Sequence, residues 1–281
     1  MSIFLDSELT AEERLETAKF RVIPMPLEKT VSYGAGTEKG PAAILEASDE
    51  LERICVSKEP CLLGIHTEPA VSCDGTLPQI MERLAVRTEA AVIAGQIPVT
   101  LGGEHSLTYG AVTGVQRALR QKIGIIQIDA HADLRIAYQG EPHSHASVMN
   151  LLTEEGTALV QFGVRALCQQ EADLRGLRDV FFIDAEELVV NGTMSVDLPA
   201  GFPELVYVSF DVDGLDPSIM PATGTPVPGG LGYYQALHLV ENALKGRRCV
   251  GFDVVELAPD GNEAWDFTAA QIVYRLMAAC L

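Results

Sequence analysis

Basic side chains are scarce in this chain: Lys and Arg number 20 against 39 Asp and Glu, a formal charge of −19. So acidic a balance argues against nucleic acid or an anionic membrane as a partner, since both require a positive face. It suits capture of a cation, and it also serves plain solubility. Cysteine is sparse as well. Cys55, Cys61, Cys73, Cys168, Cys249 and Cys280 make no C-x-x-C pair and no disulfide-like spacing, which argues against a thiolate metal site or a disulfide scaffold. They read as isolated thiols in a reducing, cytoplasmic setting. Long apolar runs are missing: none reaches the roughly 18 residues of a membrane span. Met1 to Phe20 carries five acidic residues and no apolar run of the signal-peptide kind. No linker, charge block, low-complexity tract or repeat divides the sequence. A single domain over residues 1–281 is expected, with residues 1–19 as an N-terminal extension.

What is present is an alternation. Apolar runs of strand length occur at Phe20–Pro24, Ile97–Leu101, Ile123–Ile128, Ala158–Phe162, Val180–Ile183, Leu205–Phe210 and Cys249–Val255. Several are apolar at nearly every position, as strands covered on both faces should be. Helical patterns fall between them at Pro41–Ile54, Pro78–Ala94, Ser106–Leu119, His145–Thr153, Tyr233–Leu244 and Thr268–Leu281. Pro41 and Pro78 suit first helical positions, and Gly95 and Gly246 suit helix ends. The alternation predicts an α/β fold in three layers, α/β/α, around a mostly parallel central sheet. In such sheets ligands sit beyond the carboxyl ends of the strands, so functional residues should follow strand patterns.

Four segments do. Gly102-Gly103-Glu104-His105-Ser106 follows the second run, and Asp129-Ala130-His131-Ala132-Asp133 follows the third. Asp211-Val212-Asp213-Gly214-Leu215-Asp216-Pro217 follows Leu205–Phe210, and Glu256 follows the last run. On an extended backbone, alternate residues point the same way, so Asp-x-His-x-Asp would aim two carboxylates and an imidazole at one point. Such a cluster is costly unless a cation neutralises it. Singly, Asp133 reads as a helix N-cap, His105 as a core histidine, Glu256 as a cap or ion-pair partner, and Asp216 as a turn residue. Independent turns, however, do not produce alternating acids after two strands and a histidine after a third. His105, Asp129, His131, Asp133, Asp211, Asp213 and Glu256 together exceed the needs of one ion and suit two ions bridged by shared carboxylates. Carboxylate oxygens with one or two imidazoles favour Mn²⁺, with Zn²⁺, Co²⁺ or Mg²⁺ as alternatives.

With these motifs the chain resembles the ureohydrolase (arginase/agmatinase) family. The likeness extends to Ser209-Phe210 ahead of Asp211, to Gly224-Thr225-Pro226-Val227-Pro228-Gly229-Gly230, and to Asp253-Val254-Val255-Glu256. Ser32-Tyr33-Gly34-Ala35-Gly36-Thr37 and Gly40-Pro41-Ala42-Ala43-Ile44 look like the agmatinase branch. Coverage runs from about Phe20 to the C-terminus. The resemblance implies an arginase-like fold, two Mn²⁺ per subunit and a homo-oligomer, trimer or hexamer. It places one ion on His105, Asp129, Asp133 and Asp211, and the other on Asp129, His131, Asp211 and Asp213. Asp129 and Asp211 would thus bridge the two ions, with Asp129 also catalytic. Glu256 matches the acid that receives the guanidinium, which a carboxylate suits through paired charge-assisted bonds. His145 matches the proton-shuttling and substrate-contacting histidine, with His143 as its rival; Ala146 stands where the family usually has glycine.

The implied reaction is hydrolysis of a small cationic guanidino amine, agmatine foremost, to urea and putrescine. Aminopropyl-agmatine, arginine, a guanidino acid and formimino-glutamate are the other substrates. Arginase normally carries a Ser/Asn-rich loop that grips the α-carboxylate. Here the region reads Gln139-Gly140-Glu141-Pro142-His143-Ser144 and lacks that Asn pattern. Glu141 would attract a cationic tail. Arg135 pointing into the cleft would favour an acidic one.

Overall fold

The apolar runs pair into one sheet. In the computed structural model, which describes residues 2–281, the strands are β1 (Phe20–Met25), β2 (Ile65–Thr67), β3 (Ile97–Gly102), β4 (Gly124–Ile128), β5 (Ala158–Phe162), β6 (Phe181–Ile183), β7 (Leu205–Asp211) and β8 (Arg248–Val255). Their order is β2-β1-β3-β8-β7-β4-β5-β6, and every pairing is parallel. The described residues also form α1 (Gly40–Ala47), α2 (Leu77–Ile93), α3 (Thr108–Leu119), α4 (Val148–Glu154), α5 (Gln169–Leu177), α6 (Ala185–Val190), α7 (Tyr233–Ala243) and α8 (Glu263–Ala279). No helix among them is long and apolar enough to cross a membrane. Of the expected N-terminal extension, Met1 lies outside the described residues. Phe4 and Leu5 are buried, and their amides donate to Thr67 Oγ1 and Ser48 Oγ.

Side-chain alternation along the strands divides the interior in two. Ile126, Ile128, Val206, Val208 and Phe210 pack with α1, α7 and α8 on one face. Ile125, Tyr207 and Val250 pack with α2, α3 and α4 on the other. This is the expected three-layer arrangement, with both faces of the sheet covered. The expected helix over Pro41–Ile54 ends early, at Ala47, and passes into a 3-10 turn. Those over Ser106–Leu119 and His145–Thr153 begin as 3-10 turns carrying His105 and His145, before α3 and α4 proper. α8 starts earlier than expected, where the Asn262 side chain accepts the Ala264 amide.

The sheet order makes β3, β8, β7 and β4 adjacent, so their carboxyl ends share one rim. The β3 end is fixed by backbone. Gly103 N–H donates to Met25 O, its carbonyl accepts from Glu256 N–H, and Glu104 N–H donates to Leu27 O. A Cβ on Gly103 would lie 2.0 Å from Leu27 O. Backbone on that side cannot yield as a flexible side chain would. Gly103→Ala is therefore expected to cost about 3 kcal/mol, read as a lower denaturation midpoint with unchanged m-value. An unchanged midpoint would refute the crowding.

Candidate functional site

β4 stops at Ile128, so Asp129–Asp133 is not the extended strand that its alternation suggests. Convergence is achieved by a bend. The His131 amide donates to Asp129 Oδ1 at 2.6 Å, and the Ala130 amide donates to Asp213 Oδ1 at 3.0 Å. The same side-chain-to-backbone turn recurs after β7, where the Asp213 amide donates to Asp211 Oδ1 at 2.8 Å. Asp133 is not a helix N-cap: Ser147 holds that position for α4. Instead Asp133 sits at φ 53°, its carbonyl accepts the Met149 and Asn150 amides, and its carboxylate turns to His105. Glu256 is also left-handed, at φ 66°. Two bulky residues in that sparsely populated region mark local strain held by the surrounding structure. Asp216 is a turn residue, as expected. It accepts the Ser218 hydroxyl and amide and the Gly229 and Gly230 amides, which hold its pKa down at about 2.

The six expected ligand side chains come together. His105 Nδ1 lies 3.1, 2.9 and 3.4 Å from carboxylate oxygens of Asp129, Asp133 and Asp211. His131 Nδ1 lies 3.0 Å from Asp213 Oδ2 and 3.6 Å from Asp129 Oδ1. Two donor groups result, His105/Asp129/Asp211 and Asp129/His131/Asp213, each with its ligand atoms within 4.8 Å of one another. Asp129 belongs to both. Burial and the neighbouring Asp213 and Asp129 charges push the Asp211 carboxyl well above the carboxylate range. Burial and the Asp129 charge take Asp133 up to about 6. Burial opposes the charged form of His131, but Asp213 and Asp129 outweigh it and raise its pKa to about 12.

The His105 ring tests whether these residues fit a cation. Ser209 Oγ donates to Asp253 Oδ1 at 2.8 Å, so its lone pair faces His105 Nε2, also at 2.8 Å. Nε2 must then carry the ring proton. Nδ1 is left buried and facing three carboxylates; burial opposes a charge there, but Asp129, Asp133 and Asp211 outweigh it and push the His105 pKa well above its usual value. The carboxylates thus favour a proton, and with it a positive charge, at Nδ1. A bound cation would take the place of that proton, and a histidine whose other nitrogen is fixed in this way is the usual metal ligand. The donor set fits.

A cavity of about 430 Å³ opens onto the cluster. Glu256 reaches it from the end of β8. Its Oε1 accepts the His105 amide at 2.7 Å and lies 3.4 Å from His145 Nδ1. His145 Nε2 is buried and has no partner. Burial opposes a charge on His145, but the Glu256 carboxylate raises its pKa overall. His143 is not among the lining residues. It packs edge-on against Tyr109 and faces Glu141, whose carboxylate accepts the His143 amide. Glu141 is thus turned away from the role of tail acid. The carboxylate that does line the cavity is Glu171 on α5, which the sequence reading passed over; it accepts the Leu134 and Cys168 amides. Arg135 lines the cavity too, with Nε 3.8 Å from Glu171 and its guanidinium 5.5 Å from the Tyr138 ring centre. Glu104 and Thr30 were also missed. Glu104, fully buried, accepts the Lys29 and Thr30 amides and the Thr30 hydroxyl, and Thr30 Oγ1 accepts the His145 amide at 2.9 Å.

A model of the arginase family matches residues 18–279. An N(1)-aminopropylagmatine ureohydrolase of Synechocystis sp. is 36% identical, covering 98% of this chain and 92% of its own. An agmatinase of Pyrococcus horikoshii is 33% identical, with 97% and 95% covered. Among solved structures, the agmatine ureohydrolase of Thermoplasma volcanium superposes with a TM-score of 0.83 at 29% identity, over 100% of this chain and 94% of the other.

Proposed function

The chain belongs to the arginase family, and on that premise we propose that it hydrolyses a guanidino amine, agmatine foremost, to urea and a primary amine at a two-cation centre. The observation that carries this reading is the pair of His/Asp groups sharing Asp129 beside a cavity that also holds Glu256 and His145. His105, Asp129, Asp133 and Asp211 would hold one divalent cation. Asp129, His131, Asp211 and Asp213 would hold the other. Oxygen and imidazole donors favour Mn²⁺. When bound, the cations supply the acidification of water near neutral pH and the positive charge that steadies the tetrahedral carbon.

The remaining chemistry belongs to side chains. The Glu256 carboxylate would receive the planar guanidinium through N–H···O bonds and hold it in the cavity that Asp211 and Asp213 also line. His145 lines the cavity, is held by Thr30 at its amide and faces Glu256 through Nδ1, while its Nε2 is buried without a partner. Its raised pKa favours the protonated ring, which would supply the proton that the departing amine nitrogen needs. Water adds its oxygen to the guanidinium carbon, the C–N bond to the alkyl chain breaks, and urea and the protonated amine leave.

Glu171 supports a cationic tail: it is a buried carboxylate at the cavity wall. Two observations favour other tails. The Synechocystis relative acts, by its name, on an agmatine lengthened by an aminopropyl arm. Arg135 in the lining is the feature expected for an acidic tail, although Glu171 already answers its charge at 3.8 Å. Urea release after Mn²⁺ loading, measured with agmatine, aminopropyl-agmatine, arginine and guanidinobutyrate, separates the readings. The two agmatines should exceed the acids in kcat/KM by at least about a hundredfold, which one ion pair gained rather than opposed supplies. Arginine or guanidinobutyrate as best substrate would reverse the choice of tail, and no urea from any of them would sink the reading as a whole.

A further inference from the structure

Two polar residues stand inside the sheet where both faces are covered. Gln127 on β4 and Gln161 on β5 are register partners, and neither side chain is exposed. Buried amides require partners. Theirs form a line. Arg175 Nε on α5 donates to Gln161 Oε1 at 2.8 Å, Gln161 Nε2 donates to Gln127 Oε1 at 2.7 Å, and Gln127 Nε2 donates to Asp129 Oδ2 at 2.7 Å. Gln161 Nε2 also reaches Ala132 O.

The direction of this line is not free. A guanidinium can only donate. Arg175 therefore obliges Gln161 to present its oxygen, which turns the Gln161 amino group to Gln127, and in the same way turns the Gln127 amino group to Asp129. The Ala132 carbonyl, which only accepts, holds Gln161 the same way round; were Gln161 reversed, Gln127 would be drawn to turn its oxygen against Asp129 Oδ2. Arg175 itself is 2% exposed, which is rare for arginine. It is anchored by Asp184 Oδ1 at 2.9 Å and lies over the Phe182 ring at 4.2 Å.

We infer that Arg175 is a positioning residue for the metal centre: through Gln161 and Gln127 it fixes the orientation of the Asp129 carboxylate shared by both cation sites. The inference rests on the two-cation reading above. Groups behind a metal ligand commonly change affinity by 10–100-fold when removed. Simple Coulomb attraction makes the opposite forecast, because deleting a buried positive charge should tighten cation binding.

The test is Mn²⁺ titration of the metal-stripped full chain, reading free Mn²⁺ by EPR, for wild type, Arg175→Met, Gln161→Leu and Arg175→Lys. Arg175→Met and Gln161→Leu should each bind Mn²⁺ at least about tenfold more weakly. Arg175→Lys keeps a donor for Gln161 and should recover part of the loss. Gln161→Leu breaks the line at constant charge and leaves Arg175 and Asp184 paired, so it decides the matter if Arg175→Met does not fold. Unchanged or tighter binding in Gln161→Leu overturns the inference, as does Arg175→Lys binding no better than Arg175→Met. A wild type that binds no Mn²⁺ sinks the two-cation reading instead.

Discussion

Asp211→Asn should lower urea formation at least a thousandfold and yet leave the metal-free protein as stable as before, or more so. Both halves follow from the same crowding. Asp211 is buried with Asp129, Asp133 and Asp213 around two imidazoles. Burial and the Asp213 and Asp129 charges already drive it well above the carboxylate range. An acid whose folded pKa is raised contributes stability that is present below its unfolded pKa and lost as pH rises through the folded one. At neutral pH it therefore weakens the fold or rests protonated, and a neutral amide of the same shape removes that burden. The cations reverse the sign. They bind the native centre and not the unfolded chain, adding about 2.7 kcal/mol per site at a hundred times Kd, which is several degrees in melting temperature for a protein of this size. An amide supplies one neutral oxygen where a shared carboxylate is needed, so this gain should vanish along with activity. Thermal melts with and without Mn²⁺ read both effects. A variant that keeps the Mn²⁺-induced shift removes Asp211 from the centre. Protons and cations also compete for these oxygens, so Mn²⁺ affinity should fall as pH drops through about 6, where Asp133 takes its proton.

How much of this was legible in the sequence depends on what kind of signal each residue leaves. The central strands were legible because runs such as Ile123–Ile128 are apolar at nearly every position, and their ends led to His105, Asp129, Asp211 and Glu256. The bend at Asp129–Asp133 was not, because its turn is made by a side chain bonding its own backbone and leaves the acid-x-His pattern unaltered. α5 left no stripe: it buries Glu171, Leu174 and Arg175 and exposes Leu177, inverting the usual amphipathic rule. That same helix supplies the cavity acid and the guanidinium behind Asp129. β2 and α6 are too short for a period to show. A trace of the Arg175 line was present in the sequence, since Gln127 and Gln161 are polar residues inside runs otherwise suited to full burial. Choosing His145 over His143 rested on motif alone, and nothing in local composition distinguishes two histidines two residues apart. The packing of Thr30 and Glu104, from far along the chain, puts one of them in the cavity.

Glu256→Gln separates substrate capture from metal binding more sharply than any other single change. Gln keeps an oxygen for the His105 amide, so the end of β8 and its left-handed turn should persist. Mn²⁺ content should stay at the wild-type level, since Glu256 belongs to neither donor group. What disappears is the charge that meets the guanidinium. Two hydrogen bonds to a charged group, at about 1.5–3 kcal/mol each, correspond to a fall in kcat/KM on the order of a thousandfold. The pH profile should move too, with a defined sign. Burial alone would depress His145; the Glu256 carboxylate is what raises it. With the charge gone, the His145 pKa falls, and the ring loses its proton at lower pH. The alkaline limb of kcat/KM, which reports the free enzyme, should therefore shift toward acid in Glu256→Gln. An alkaline limb that stays in place would show that His145 is not the proton donor, even if the loss of activity matched. Loss of bound Mn²⁺ in the same variant would place Glu256 among the ligands, and the guanidinium would then need another anchor in the cavity.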